Sequence, residues 1–135
     1  MLKKNIKNQK GLTLIELLAV IVILGIIAAI AVPAIGNVIN NTKEKAAYAD
    51  AQQIIESARL YITAENPEFN ANNKLALDQS SEKFKAYYDK AGNFSLTATR
   101  DASSGKLTFA FTSIDDITIA EGDTLTEAEI AEKLD

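Results

Sequence analysis

One carboxylate, Glu16, interrupts an apolar run near the N-terminus, and its type and place make it the first candidate for chemistry. An acid at the centre of a spanning helix costs about 2.5 to 3.5 kcal/mol on insertion scales, so an intramembrane carboxylate is read first as functional. What Glu16 offers is charge pairing in low dielectric with a cationic partner. A structural account stands beside that one: at the cytoplasmic edge, in a first helical turn, headgroup water and the helix dipole make an acid tolerable. A second group of carboxylates, Asp115, Asp116, Glu121 and Asp123, surrounds a turn near the C-terminus. Hard oxygen ligands would suit Ca²⁺, but the spacing is not that of an EF-hand and acids at turns are usually just solvated, so no metal and no cofactor is assigned. The chain holds no Cys and no His, which removes thiolates, disulfides and imidazole bases. The remaining Ser, Thr and carboxylates form no recognisable nucleophile and base, so no catalytic residue is expected.

The element that must position Glu16 is plain from composition. Residues 17–36 form 20 successive positions without a charged or strongly polar side chain, and at ~1.5 Å per helical residue that matches the ~30 Å hydrocarbon core of a bilayer. Lys3, Lys4, Lys7 and Lys10 precede the run with no acid among them. The positive-inside rule then puts the N-terminus in the cytoplasm and the C-terminal part outside. Without those lysines the chain carries 10 basic against 18 acidic groups, a net of −8 beneath an overall −4. Such a surface is poor at gripping phosphates, and no direct nucleic-acid binding is expected.

Beyond Gly36, apolar residues recur at Ala47, Ala51, Ile54, Ile55, Ala58, Tyr61 and Ile62. Steps of three and four mark one helix face, so the helix is predicted to continue from about Leu14 to Ala64 and to end at Glu65-Asn66-Pro67. Residues 70–80 read as a polar loop and residues 81–91 as a short helix burying Phe84, Tyr87 or Tyr88. Phe94, Leu96 and Ala98, then Leu107, Phe109 and Phe111, alternate with small or polar residues as two strands joined by a turn at 101–105; Ile117 and Ile119 suggest a third. Thr126 and Glu129 form a capping box for a last helix, with Leu125 placed to staple against Ile130. The fold class expected is α+β: a long N-terminal helix, half transmembrane and half amphipathic, packed on a small antiparallel sheet.

Lys10-Gly11-Leu12-Thr13-Leu14-Ile15-Glu16, followed by the apolar run and Pro33, resembles the N-terminal signature of type IV pilins and of the pseudopilins of secretion and competence systems. The resemblance covers roughly the first 40 residues. It implies a pilin-like fold and a leader, residues 1–11, cut between Gly11 and Leu12 by a prepilin peptidase that also methylates the new amine on Leu12. Glu16 would become the fifth residue of the mature chain and face the N-terminal amine of a neighbouring subunit. Residues 12–36 would be the transmembrane and filament-core helix, and residues 37–135 the extracytoplasmic globular domain with the outer half of the helix. Pro33 has no N–H for the Ala29 carbonyl and is expected to kink or locally break the helix, with Gly25 and Gly36 loosening it further. By the same resemblance, Gly25 and Pro33 would bound a segment that melts when helices pack in a filament, although Gly and Pro are also ordinary in membrane helices. The partners implied are copies of the chain in a homopolymer, the peptidase and methyltransferase, an assembly ATPase with its platform protein, and the membrane that holds the precursor. The family more often has Phe where Leu12 stands, which bears on methylation more than on the cut.

Other readings compete. Ala29-Ile30-Ala31 fits a signal-peptide cleavage pattern, but the apolar region exceeds the usual ~7 to 15 residues and contains Glu16. A signal-anchored binding protein leaves Gly11 and Glu16 unexplained, and an anchored enzyme lacks a constellation. Within the filament family the expectation is a major pilin carried from the cytoplasmic membrane to a surface pilus, with adhesion or motility as its use. A competence or type II secretion pseudopilin is the alternative. The absence of the C-terminal cysteine pair common in Gram-negative pilins points to a Gram-positive source or to a pseudopilin.

Overall fold

The computed structural model describes residues 2–135, with side chains from Gly11 onward. The side chains of Lys3, Lys4, Lys7 and Lys10 therefore lie outside the described residues. In chain order the elements are helix α1 (Leu2–Glu65), strand β1 (Lys74–Asp78), short helix α2 (Glu82–Lys85), strands β2 (Phe94–Arg100), β3 (Leu107–Ile114) and β4 (Leu125–Thr126), and helix α3 (Glu127–Leu134). Two compact units divide the chain, Met1–Asn41 and Thr42–Asp135.

The first unit is helical. Its many Ile and Val residues are weak helix formers, yet a helix alone satisfies every backbone group within one segment. From Leu12 to Ile39 the large aliphatic side chains stand exposed. Pro33 lies inside this helix. The helical assignment runs through it without interruption, so the local break that a missing N–H could cause does not occur: the bonded turns on either side outweigh a penalty of about 3 kcal/mol.

The second unit holds the core. Every residue of the predicted helix face, Ala47, Ala51, Ile54, Ile55, Ala58, Tyr61 and Ile62, is buried, and Tyr48 joins them. All of these but Ala47 share one cluster with Leu77, Phe84, Phe94, Leu96, Ala98, Phe109, Phe111 and Ile130. Full burial of each larger side chain contributes about 1.5–3 kcal/mol, and it is this cluster that binds the outer part of α1 to the sheet. Asn66 adopts φ 43° and donates its N–H to the Ile62 carbonyl at 3.0 Å. The helix thus stops on a left-handed C-terminal cap ahead of Pro67.

The sheet is antiparallel with order β1-β2-β3-β4. Three expectations need correcting. Residues 74–78, expected within a loop, form β1, which pairs with β2 from Lys74 opposite Thr99 to Asp78 opposite Ser95. Only Leu75 and Leu77 alternate there, too short a signal amid Asn72, Asn73 and charged neighbours, and the long-range pairing supplies what local pattern lacks. Ile117 and Ile119 form no strand. Asp116 turns the chain at φ 63°, leaving Ile117 a lone bridge to Ile114, and the place beside β3 goes to β4, whose Thr126 and Leu125 face Ala110 and Phe111. The predicted helix at 81–91 shortens to α2, which seats Phe84 at 1% exposure.

Three side-chain ties brace this unit. Arg59 donates to Glu127 at 2.7 Å and lies over the Phe109 ring, 5.0 Å from its centroid. Lys90 donates to Asp50 and Gln53 at 3.1 and 2.6 Å, and the Tyr87 hydroxyl donates to Glu65 at 2.9 Å. The Lys90 and Tyr87 bonds are exposed and the Arg59 to Glu127 bond is half-buried, so each adds about 1 kcal/mol and fixes orientation more than stability.

Candidate functional site

The candidate residues Gly11, Leu12, Glu16, Gly25 and Pro33 all belong to α1 in the first unit. The helix sets their relations. Leu12 and Glu16 are four residues apart, hence on one face and separated by about 6 Å of rise. Leu12 is 61% exposed and Glu16 is exposed beside it. Among the described residues no hydrogen bond or ion pair reaches Glu16, so its carboxylate is open to a partner outside them. A Cβ placed at Gly11, Gly25 or Gly36 meets nothing within 4 Å. No contact within the described chain requires glycine at these positions.

Around Glu16 the helix presents apolar surface on every side. Its spanning window is wholly exposed, and it is long and apolar enough to cross a membrane. This surface runs past Gly36 through Val38 and Ile39. The uncharged run alone does not show the extension, because Asn37 interrupts it, but helical spacing places both residues one turn beyond the last Ile. Apolar side chains with no core to enter need either lipid or similar helices around them. The surface and its carboxylate together fit a membrane helix bearing one charge to be matched.

Residues 6–32 carry the prokaryotic N-terminal methylation motif. That motif is the prepilin signature of type IV pilins and pseudopilins, and it embraces Gly11, Leu12, Glu16 and Gly25, with Pro33 one residue beyond. It supports a type IV pilin-like or pseudopilin protein, a structural subunit held in the membrane as precursor, processed by a prepilin peptidase and then assembled. The motif spans 27 of the 135 residues. No curated protein and no solved structure matches the chain. The second unit is thus understood from its own geometry.

The acidic turn is occupied with local bonding. Asp115 accepts the Asn93 backbone N–H at 2.7 Å, and Asp123 accepts the Thr124 N–H at 2.9 Å. Among the described residues no three His, Cys, Asp or Glu side chains converge as metal ligands would.

Proposed function

We propose that the chain is a major structural subunit of a type IV pilus. What supports this reading above all is an exposed apolar helix bearing one open carboxylate, Glu16, inside the methylation motif and a single turn after Leu12, the proposed first residue of the mature chain. Residues 1–11 are removed, the Leu12 amine is methylated, and residues 12–36 hold the subunit in the membrane. Residues 37–135 lie outside the cell. When subunits are drawn from lipid into a filament, the surroundings of the helix remain apolar, so the transfer costs little hydrophobic energy. Glu16 then meets the Leu12 amine of a neighbour, and two opposite charges in low dielectric prefer each other to lipid. Its insertion penalty becomes registry between subunits.

Gly25 and Pro33 give the same helix a place to yield. It is continuous in the single chain, and Pro33 leaves the Ala29 carbonyl without its usual donor, so melting of 25–33 starts from a turn that has already lost a bond. Assembly draws on an ATPase and a platform protein supplied by the cell. The acidic globular surface argues against gripping nucleic acid along the shaft.

The deciding measurement is intact mass and terminal-peptide mass spectrometry of the protein from its native cell surface. A chain beginning at methylated Leu12 is expected. One beginning at Met1 or Val32 would overturn the filament reading. Deletion of the gene then separates the systems: loss of surface pili is expected, whereas loss of transformation or secretion with pili retained would assign a competence or secretion pseudopilin.

A further inference from the structure

The free edge of β1 is closed by its own flanking turns. In an antiparallel pair alternate residues turn their N–H and C=O groups toward the partner strand and the others away from it. Asn73 accepts from the Arg100 N–H on the β2 side, so Lys74, Ala76 and Asp78 turn theirs outward. The outward groups at both ends are taken. Lys74 donates its N–H to Asn70 Oδ1 at 2.9 Å, and its carbonyl accepts the Asn70 N–H at 3.0 Å. Asp78 donates its N–H to Ser81 Oγ at 3.1 Å, and its carbonyl accepts the Ser81 N–H at 3.1 Å. Among the described residues only Ala76, midway and exposed, keeps its outward pair for solvent.

The opposite edge follows the same plan. β4 is two residues long, and the Thr126 N–H is taken by Glu129 Oε2 at 2.8 Å within the capping box. An open strand edge is a template for another chain. For a protein whose apolar helix gathers copies at one membrane, the nearest such chain is a second copy.

We propose that Asn70 and Ser81 guard the β1 edge against strand pairing with a second copy of this chain, so that copies associate without extending the sheet. Removing both side-chain acceptors frees the donors of Lys74 and Asp78. With Ala76 that makes three outward N–H groups at intervals of about 7 Å. The Lys74 and Asp78 carbonyls still hold the Asn70 and Ser81 N–H groups, so an antiparallel β1 to β1 pair about a two-fold axis would use their second lone pairs. The edge bonding belongs to the second unit, whereas the choice of a second copy as the strand to be excluded rests on the membrane reading of the first; the strand-pairing test does not depend on filaments forming.

The test uses the full-length chain in detergent micelles, comparing wild type, Asn70→Ala/Ser81→Ala, and Thr126→Ala. The last loses a helix cap and matches a general loss of stability without opening the β1 edge. Light scattering after size exclusion reads protein mass per micelle, and amide hydrogen exchange reads the Ala76 N–H. The double variant is expected to double the protein mass per micelle and to protect Ala76, with wild type and Thr126→Ala remaining single-chain. An Ala76 amide as open in the double variant as in wild type, with unchanged mass, overturns the proposal. So does equal association of Thr126→Ala. If the double variant does not fold, Asn70→Ala and Ser81→Ala singly carry the same test, each freeing one donor. Asn70→Asp, which keeps the acceptor, is expected to stay single-chain.

Discussion

Leu12 and Glu16 stand one turn apart on an exposed helix face, so within a processed chain the new amine and the carboxylate are already neighbours. Any pairing between chains competes with that local one, and apolar packing of the helices must tip the balance. Glu16→Ala is accordingly expected to leave leader cleavage intact and to impair incorporation into filaments; terminal mass spectrometry and electron microscopy of cells expressing only the variant check both halves. Normal filaments would remove the amine pairing. Gly11→Ala is expected to block cleavage, visible as retention of the leader mass. Because a Cβ at Gly11 meets nothing within 4 Å, that loss would come from recognition by the peptidase and not from a disturbed fold.

At the scale of elements, the turns carry more of the specification than the strands they join. Asp101 closes the turn between β2 and β3 by accepting the N–H groups of Ser104 and Ser103 at 2.7 and 3.0 Å and the Ser104 hydroxyl at 2.9 Å. Gly105 completes it at φ 71°, a conformation that glycine adopts without strain. These donors, the Ser104 N–H first, lower the Asp101 carboxyl from 3.8 to about 2. A carboxyl held lower when folded than when unfolded stabilises the fold above the unfolded value, and that contribution fades as pH falls from about 4 toward 2. Asp101→Asn keeps an acceptor but cannot titrate. Its melting temperature is expected to fall less steeply than wild type across that window in thermal scans by circular dichroism; identical slopes would contradict the assignment. Asp78 and Glu129 are lowered as well, by the Ser80 hydroxyl and the Thr126 N–H respectively, so some acid sensitivity survives in the variant.

The molecule as a whole separates its tasks. Thr42–Asp135 contains the complete buried cluster, whereas the large apolar side chains of the first unit are exposed. A fragment of residues 42–135 is therefore expected to be soluble without detergent, monomeric and cooperatively folded, with size exclusion and amide-proton dispersion in nuclear magnetic resonance as the checks. The full chain is expected to need detergent or lipid. A fragment that aggregates or lacks dispersion would mean that the first unit contributes to the fold of the second.

Much of this was legible in the amino-acid order because periodicity and capping are local. The buried face of α1, the alternation in β2 and β3, the Asp101 turn and the Thr126 to Glu129 box each depend on residues a few positions apart. The residue proposed for assembly, Glu16, stands out for a related reason: an acid among aliphatic residues is conspicuous without any fold. Tertiary structure decided what no local pattern contains. β1 exists because residues 74–78 find β2 some twenty residues later, and Ile117 and Ile119 lost the sheet position to β4 because a strand's place is set by its partners. The closure of the β1 edge by Asn70 and Ser81 appears only once that strand is known, since a backbone group is open or occupied solely with respect to the geometry around it.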